Sequence, residues 1–437
     1  MKKFLVIMIL LICNIVSSQP GWYSQNSETN RNLKSLYFVN SNTGWVVGDS
    51  IVLKTTNGGQ NWISQTLPVQ ATINSVHFLN ENTGFLAGDN NYYSYVIGTY
   101  VFKTTNGGSN WNIIYSKTPA IFGNAYIKDV YAVNENIVYR NYSEYLSFTS
   151  SGSILKSTNG GVNYSNSLEC GTTEGLSFIN SQTGWITCTY QEEMLPIILR
   201  IYKTTNEGNN WSLMFNDSIN AIRGREIQFL NSSTGYALGY IENTMLVKTT
   251  NGGINWTTNI INNYNNRAMY FVNANTGWIA GYTSSGNSNI SKTTNGGQDW
   301  VKQNLAGTEI INGIFFTDTL TGWAVGYYGV ILKTLTGGLT SAMHVSTDIP
   351  SSYLLSQNYP NPFNPKTVIS FQLPAVSDVM LKVYDLMGRE VETLVNERLQ
   401  PGTYSTQWNA SGYSSGIYFY TLQTEKFKQT KRMVLLK

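Results

Sequence analysis

The chain has 437 residues, with 28 Lys+Arg, 25 Asp+Glu, 39 Gly, 29 Tyr and 11 Trp. Charged residues make up 12% and aromatics 13%, which excludes a disordered chain and a coiled coil. A formal net charge of +3 leaves no electrostatic footprint for nucleic acid, whereas abundant Tyr, Trp, Thr, Val and Ile with frequent Asn and Gly predict many short strands joined by tight turns.

In chain order, Lys2 and Lys3 precede the apolar run Phe4–Ile12, and Ser17, Ser18 and Gln19 follow before Pro20. A basic start, a short apolar core and small residues near the cut predict a secretory signal peptide over residues 1–19. The run is shorter than the roughly 20 residues that cross a bilayer. Cys13 makes a poor lipidation site, because Ile12 rather than a small residue precedes it. No later segment is apolar enough to span a membrane, so no integral membrane segment is expected once the signal is removed. The mature chain keeps Cys170 and Cys188. Export permits a disulfide between them, with two buried thiols as the equal alternative.

A phrase then recurs. It reads KTTNGGQNW from Lys54, and it returns at Lys103, Lys156, Lys203, Lys248 and Lys292, with a truncated KTLTGG from Lys333. A second phrase, TGWVVG from Thr43, returns at Thr83, Thr183, Thr234, Thr276 and Thr321, and has decayed in the third unit to Glu135–Tyr139. A third phrase opens each unit, at Leu36, Val76, Val130, Leu176, Ile227, Met269 and Ile314. With the segment after each hairpin Trp, these phrases make four short strands per period of about 40–50 residues, the signature of a propeller blade. The seventh unit lacks its last strand, but Gly21-Trp22-Tyr23-Ser24-Gln25 matches Asn61-Trp62-Ile63-Ser64-Gln65. The N-terminal strand is therefore expected to complete the last blade and to remove two sheet edges. Beyond the wheel, runs at Val368–Leu373, Val379–Tyr384, Val391–Leu394, Tyr404–Trp408, Ile417–Leu422 and Met433–Leu436 predict a small antiparallel sandwich. The expected fold is all-β, a seven-bladed β-propeller over residues 20–342, a linker over 343–358, and a small Ig-like antiparallel β-sandwich over 359–437.

The Thr55, Asn57, Gly59, Asn61, Trp62 hairpin resembles the Asp-box, or bacterial neuraminidase repeat, with Asn in the Asp place. The full unit is similar to the photosystem II stability and assembly factor family of seven-bladed propellers. That resemblance implies a fold, and the Asp-box implies a structural hairpin without chemistry. Related units also occur in sialidases and xyloglucan hydrolases. The C-terminal segment reads YPNPFNPKTVISFQLP from Tyr359, VYDLMGREVETL from Val383 and PGTYSTQWNASGYSSGIYFYTL from Pro401. It resembles the type A C-terminal sorting domain of the type IX secretion system, with Trp408-Asn409-Ala410 in place of the usual Trp-Asp-Gly. The resemblance implies passage through the periplasm to the outer-membrane surface or the medium, with the type IX machinery as partner. It also implies a cut in the linker around Pro350, Ser351 and Ser352.

No catalytic or metal-binding constellation emerges, and no cofactor is expected. The two histidines are His77, on an innermost strand where packing explains it, and His344 in the linker. A sialidase needs an arginine triad. The propeller's Arg31, Arg140, Arg200, Arg223, Arg225 and Arg267 show no such motif. Position in the repeat says more. Lys34, Asn74, Lys128, Glu174, Arg225, Arg267 and Asn312 stand two residues before each innermost-strand phrase and should ring one mouth of the central channel. Four are basic, although residues 20–358 hold 17 basic and 19 acidic side chains. Such a ring favours an anionic or carboxylate-bearing partner; ordinary solvated strand ends are the plainer account. Long loops in the second to fourth units carry Tyr92, Tyr93, Tyr95, Tyr142, Tyr145, Tyr190, Glu192 and Glu193. These aromatics suit peptide or glycan contact, or serve to cover the blade tops. The expectation is a monomeric, exported, non-catalytic binder of a protein or glycan. A secreted glycoside hydrolase, sialidase-like or xyloglucanase-like, is the alternative.

Overall fold

The computed structural model describes residues 21–436 apart from short stretches at 93–94, 119–123, 147–148, 191–196, 218–221, 241–243, 262–263, 284, 304, 306–308, 339–342, 347–348, 400 and 411. The signal segment, the side chains of Tyr92, Tyr93, Tyr95 and Tyr145, and all of Glu192 and Glu193 lie outside the described residues. The strands fall into two compact units, residues 21–338 and residues 339–437.

The first unit is a seven-bladed propeller. Blade 1 shows the plan: Leu33–Phe38, Gly44–Gly48, Ile51–Thr55 and Ile63–Ser64, paired antiparallel in chain order from the axis outward. The innermost strands of the other blades are Thr72–Phe78, Val130–Ala132, Thr172–Phe178, Arg223–Phe229, Tyr264–Phe271 and Ile311–Phe316, and each neighbours the next around the ring. In blade 3 the inner strand is split: Asn124–Tyr126 and Val130–Ala132 pair with two parts of Val138–Leu146. The long loops expected in blades 2 and 3 are extended hairpins, Gly84–Tyr92 with Tyr95–Thr104 and Val138–Leu146 with Thr149–Ser157.

The repeated phrases explain how blades hold one another. Within each hairpin, the Thr55 hydroxyl accepts from the Gly59 N–H at 2.8 Å and the Asn57 side chain accepts from the Asn61 N–H at 3.0 Å. The same pair recurs at Thr104 with Asn106, Ser157 with Asn159, Thr204 with Asn206, Thr249 with Asn251 and Thr293 with Asn295. Gly58 and Gly59 sit at φ of 67° and 88°, where a Cβ is disfavoured. Between blades, the Phe of one inner strand stacks on the TGW-position ring of the preceding blade, as Phe78 does on Trp45 at 3.5 Å and Phe38 on Trp323 at 3.7 Å. The repeat lysine lies over that ring and reaches onward. Lys54 donates to the Gly107 carbonyl at 2.9 Å, and Lys333 closes the wheel on the Gly58 carbonyl at 2.8 Å. Each such cation–π contact is worth about 1–2 kcal/mol when partly desolvated.

Closure is as the repeat arithmetic requires. Tyr23, Ser24 and Gln25 pair with Lys333, Leu332 and Ile331. Trp22 meets Phe316 edge-to-face at 5.6 Å, the contact that Trp62 makes with Phe38 in blade 1.

Cys170 and Cys188 form a disulfide, with both residues buried. Cys188 stands where blade 1 has Gly48, the last residue of the TGW phrase.

The second unit is a sandwich of two four-stranded sheets. One orders Met343–Ser346, Gly402–Asn409, Lys366–Leu373 and Leu354–Leu355; the other orders Glu390–Leu399, Ser377–Tyr384, Gly416–Gln423 and Lys428–Leu435. Leu355, Phe371, Trp408, Tyr420 and Met433 fill the core between them. Residues 343–358, expected as a linker, are instead partly built into this sandwich. Met343–Ser346 pairs with Thr403–Ser405, Leu354–Leu355 pairs with Phe371–Gln372, and Asn358 is buried against Thr367. Their backbone groups complete the sheet edges, which a free linker would leave to water. Among the described residues no helix is long and apolar enough to cross a membrane.

Candidate functional site

Six of the seven inner strands reach the channel mouth through a β-bulge. In blade 1 Leu33 pairs with Gly48 and Ser35 with Val47, which leaves Lys34 as the extra residue. The same slip singles out Asn74, Glu174, Arg225, Arg267 and Asn312. A bulge bends the strand and re-aims the unpaired side chain. Lys128 lies in the gap of blade 3's split strand, where the Asn141 side chain accepts from its N–H at 2.8 Å. All seven positions therefore line one partly open cavity of about 220 Å³.

The rim is laced together. Lys34 donates to Asn74 at 3.1 Å and lies 3.5 Å from Asp49, while Asn74 donates to Asp89 at 2.7 Å. Lys128 pairs with Glu174 at 2.7 Å. Arg267 donates to Asn312 at 2.6 Å and to the Tyr327 hydroxyl at 3.0 Å, and Asn312 returns to the Leu33 carbonyl at 2.8 Å. Arg225 and Arg267 stand in adjacent blades. Arg225 donates to Asn265 at 3.4 Å, and neither arginine has a carboxylate within salt-bridge distance among the described residues. Tyr240 lies under Arg225, and Tyr282 and Tyr327 flank Arg267. These rings hold the forks without neutralising them.

One residue further in, the ring reads Ser35, Ser75, Asp129, Gly175, Glu226, Ala268 and Gly313, all lining the same cavity. The two acids escaped the sequence reading. The signal was there, since every other unit has a small residue at that position. Asp129 accepts from the Ser75 hydroxyl at 2.7 Å and from the backbone N–H groups of Val130 and Leu176, and burial pushes its carboxyl up to about 6. Glu226 accepts from the Met269 N–H of the next blade, and burial, with Asp129 adding repulsion, pushes it up to about 8. Both acids thus tie seams between blades.

Below them the channel narrows to an aromatic collar, with Tyr37 on His77 at 5.0 Å, His77 on Tyr131 at 4.4 Å and Tyr270 on Phe315 at 4.7 Å. Burial pushes His77 down to about 4, so it packs as a neutral ring. Among the described residues no group of three His, Cys, Asp or Glu is placed to hold a metal.

The expected tyrosine contact surface needs correction. Tyr142 is buried, with Lys117 donating to its hydroxyl at 2.9 Å and lying over its ring. Tyr190 is half-buried beneath Arg200, 4.0 Å from the ring centroid. Long hairpins let neighbouring cations cover these rings, which no spacing of tyrosines reveals.

The raised carboxyls carry a sign. Between about pH 4 and 8 the folded chain keeps a proton on Glu226 that the unfolded chain releases, so stability falls as pH rises through that window. Asp129 acts the same way up to about 6. Glu226→Gln keeps the acceptor and removes the charge. Its melting temperature should exceed the parent's at pH 9 and nearly match it at pH 5. Parallel melting curves at both pH values would contradict this.

Residues 14–177 match the family described as photosynthesis system II assembly factor YCF48, and residues 357–436 match the secretion system C-terminal sorting domain. A solved structure of YCF48 bound to D1 peptide is similar at 18% identity and TM-score 0.54, covering 73% of this chain and 98% of that one. YCF48 from Cyanidioschyzon merolae is similar at 18% identity and TM-score 0.54, covering 72% and 98%. At that identity the likeness is one of fold. An ancestral GH74 enzyme aligns at 13% identity with TM-score 0.45, over 94% of this chain and 57% of that one, too distant to bear on activity. None of the curated proteins compared is similar at a significant level. Fold and motifs define a seven-bladed propeller similar to the photosystem II assembly factor family. The chain joins such a YCF48-like wheel to a type IX secretion sorting domain.

Proposed function

We propose that the wheel is a non-catalytic binding module, delivered to the cell surface or the medium by its sorting domain, that takes a carboxylate-bearing segment of a partner protein at the rim. The observation that carries this is the pair Arg225 and Arg267, adjacent, facing one cavity, with no carboxylate within salt-bridge distance of either among the described residues. Guanidinium forks match carboxylates bidentately. A YCF48 structure holds a peptide, which supports a peptide as ligand. A glycoside hydrolase would use a pair of the cup's three carboxylates, but Asp129 and Glu226 are committed to backbone N–H groups across blade seams and Glu174 to Lys128, which favours binding over turnover.

The experiment is an array of short acidic and basic peptides probed with the mature chain. Acidic peptides should be retained, and the double variant Arg225→Ala, Arg267→Ala should bind them about 100-fold more weakly. Arg31→Ala, at an exposed position off the cup where Arg31 holds the Asp49 and Ser50 carbonyls, should not change the affinity. Equal retention by the double variant removes the rim as the binding surface.

A further inference from the structure

The seam between blades 2 and 3 departs from the other six in three places at once. Opposite the inner strand, six blades bury an aliphatic residue: Val46, Leu86, Ile186, Ala237, Ile279 and Ala324. Blade 3 puts Arg140 there, paired with Val130 and 1% exposed. The inner-strand Phe of the other blades is Ala132, and the hairpin Trp is Tyr164. A missing phenyl ring and a smaller hairpin ring free volume where the guanidinium lies.

That guanidinium is caged by rings. Its carbon is 4.2 Å from the Tyr115 centroid, 4.6 Å from Tyr164 and 5.6 Å from Tyr142. Tyr115 accepts one hydrogen bond from it. Ring faces offset only part of a buried cation's desolvation penalty. The in-plane donors gain nothing from the faces. Nε and Nη1 of Arg140 and the hydroxyl of Tyr164 are buried without a hydrogen-bond partner in the protein. Among the described residues no carboxylate forms an ion pair with Arg140, and Tyr142 of the same cage carries a second cation, Lys117, on its hydroxyl. Orphaned buried donors of this kind require a partner.

We propose that this seam binds a small monovalent anion of the chloride class, held by Arg140 Nε and Nη1 and the Tyr164 hydroxyl. Two guanidinium donors and a hydroxyl free to turn its proton toward the same ligand, with no carboxylate paired to them, select an acceptor-only ligand. A monatomic ion asks for the least room beside a guanidinium that already occupies the space of the missing ring, and a single charge balances it. The anion staples blade 2 to blade 3 at the one joint without a Phe-on-ring stack.

The test is thermal unfolding of the full chain in sodium gluconate, with chloride or bromide replacing gluconate at constant ionic strength. The melting temperature should rise and saturate with halide. Arg140→Met should abolish the rise, and Tyr164→Phe should shift half-saturation to at least about tenfold higher halide. Should Arg140→Met fail to fold, Tyr164→Phe decides, together with an anomalous bromide peak beside Arg140 in soaked crystals. A flat response in the parent, equal responses in parent and Tyr164→Phe, or water in place of bromide overturns the proposal.

Discussion

Trp22→Ala is expected to lower the stability of the wheel by about 3–5 kcal/mol, the range for truncating a fully buried large aromatic. Trp22 is 0% exposed and packs in one cluster with Trp278, Ile314, Phe316 and Leu332. It also carries the donated strand into place. Tyr23–Gln25 then covers the edge of Ile331–Thr334, Gln25 reaches the Gly58 carbonyl of blade 1 at 3.3 Å, and Ser27 donates to the Gly329 carbonyl at 2.6 Å. Loosening the indole frees the closure between first and last blades as well as leaving a cavity. Trp62→Ala is the matched control, since Trp62 is 5% exposed and makes the same edge-to-face contact with Phe38 inside a continuous blade. Denaturant unfolding should show the larger loss at position 22, with faster unfolding. A loss at Trp22 within about 0.5 kcal/mol, the size of a surface substitution, would contradict a stitched wheel.

Gly48→Ala is expected to cost about 3 kcal/mol or more. A Cβ at Gly48 would lie 2.0 Å from the Asn32 carbonyl oxygen and 2.8 Å from the Leu33 Cα, both backbone atoms. Nothing flexible can yield, so the inner strand must move, and the Lys34 bulge moves with it. The approach recurs at Gly88, Gly281 and Gly326, whose added Cβ atoms would meet the carbonyls of Thr72, Asn265 and Ile310 at 2.1, 2.1 and 2.2 Å. Blade 4 carries Cys188 at this place, and its Cβ leads into the disulfide with Cys170. Thermal melts of Gly48→Ala beside Gly286→Ala, where an added Cβ meets nothing within 4 Å and only the positive φ of 81° is disfavoured, separate the cost of the close approach from that of a strained backbone, and Gly48→Ala should show the larger shift. Equal, small shifts would show that the inner strand is not so closely held.

Much of the wheel was legible because each blade repeats one local solution. The Thr-x-Asn-x-Gly hairpin satisfies its own backbone donors, so KTTNGGQNW foretells its geometry wherever it occurs. The match of Gly21–Gln25 to Asn61–Gln65 foretold the closing strand, since equivalent residues pair with equivalent lysines: Ile63 with Lys54, and Tyr23 with Lys333. The rim positions were legible for the same reason, as one offset from one phrase. Asp129 and Glu226 stand where the other five units have a small residue, so their presence is legible in the repeat, but their burial and their ties to neighbouring blades depend on groups far along the chain. Tyr142 was misplaced because a tyrosine in a long hairpin reads alike whether it faces solvent or a cation. The strand Met343–Ser346 was read as linker because its partner, Gly402–Asn409, lies far along the chain.

What the sequence determined by itself is therefore the repeating part: four short strands per unit, the turn chemistry between them, the count of seven and the borrowed last strand. These follow from hydrogen bonds and apolar alternation within a few residues of each other. What only the tertiary structure decided is the electrostatic part: that six bulges and one split strand turn seven strand ends into one cup, that Arg225 and Arg267 face it with no carboxylate within salt-bridge distance among the described residues, and that Arg140 lies buried among three tyrosines. Charge depends on which distant groups share a low-dielectric space, and that is settled only when the blades close around the axis.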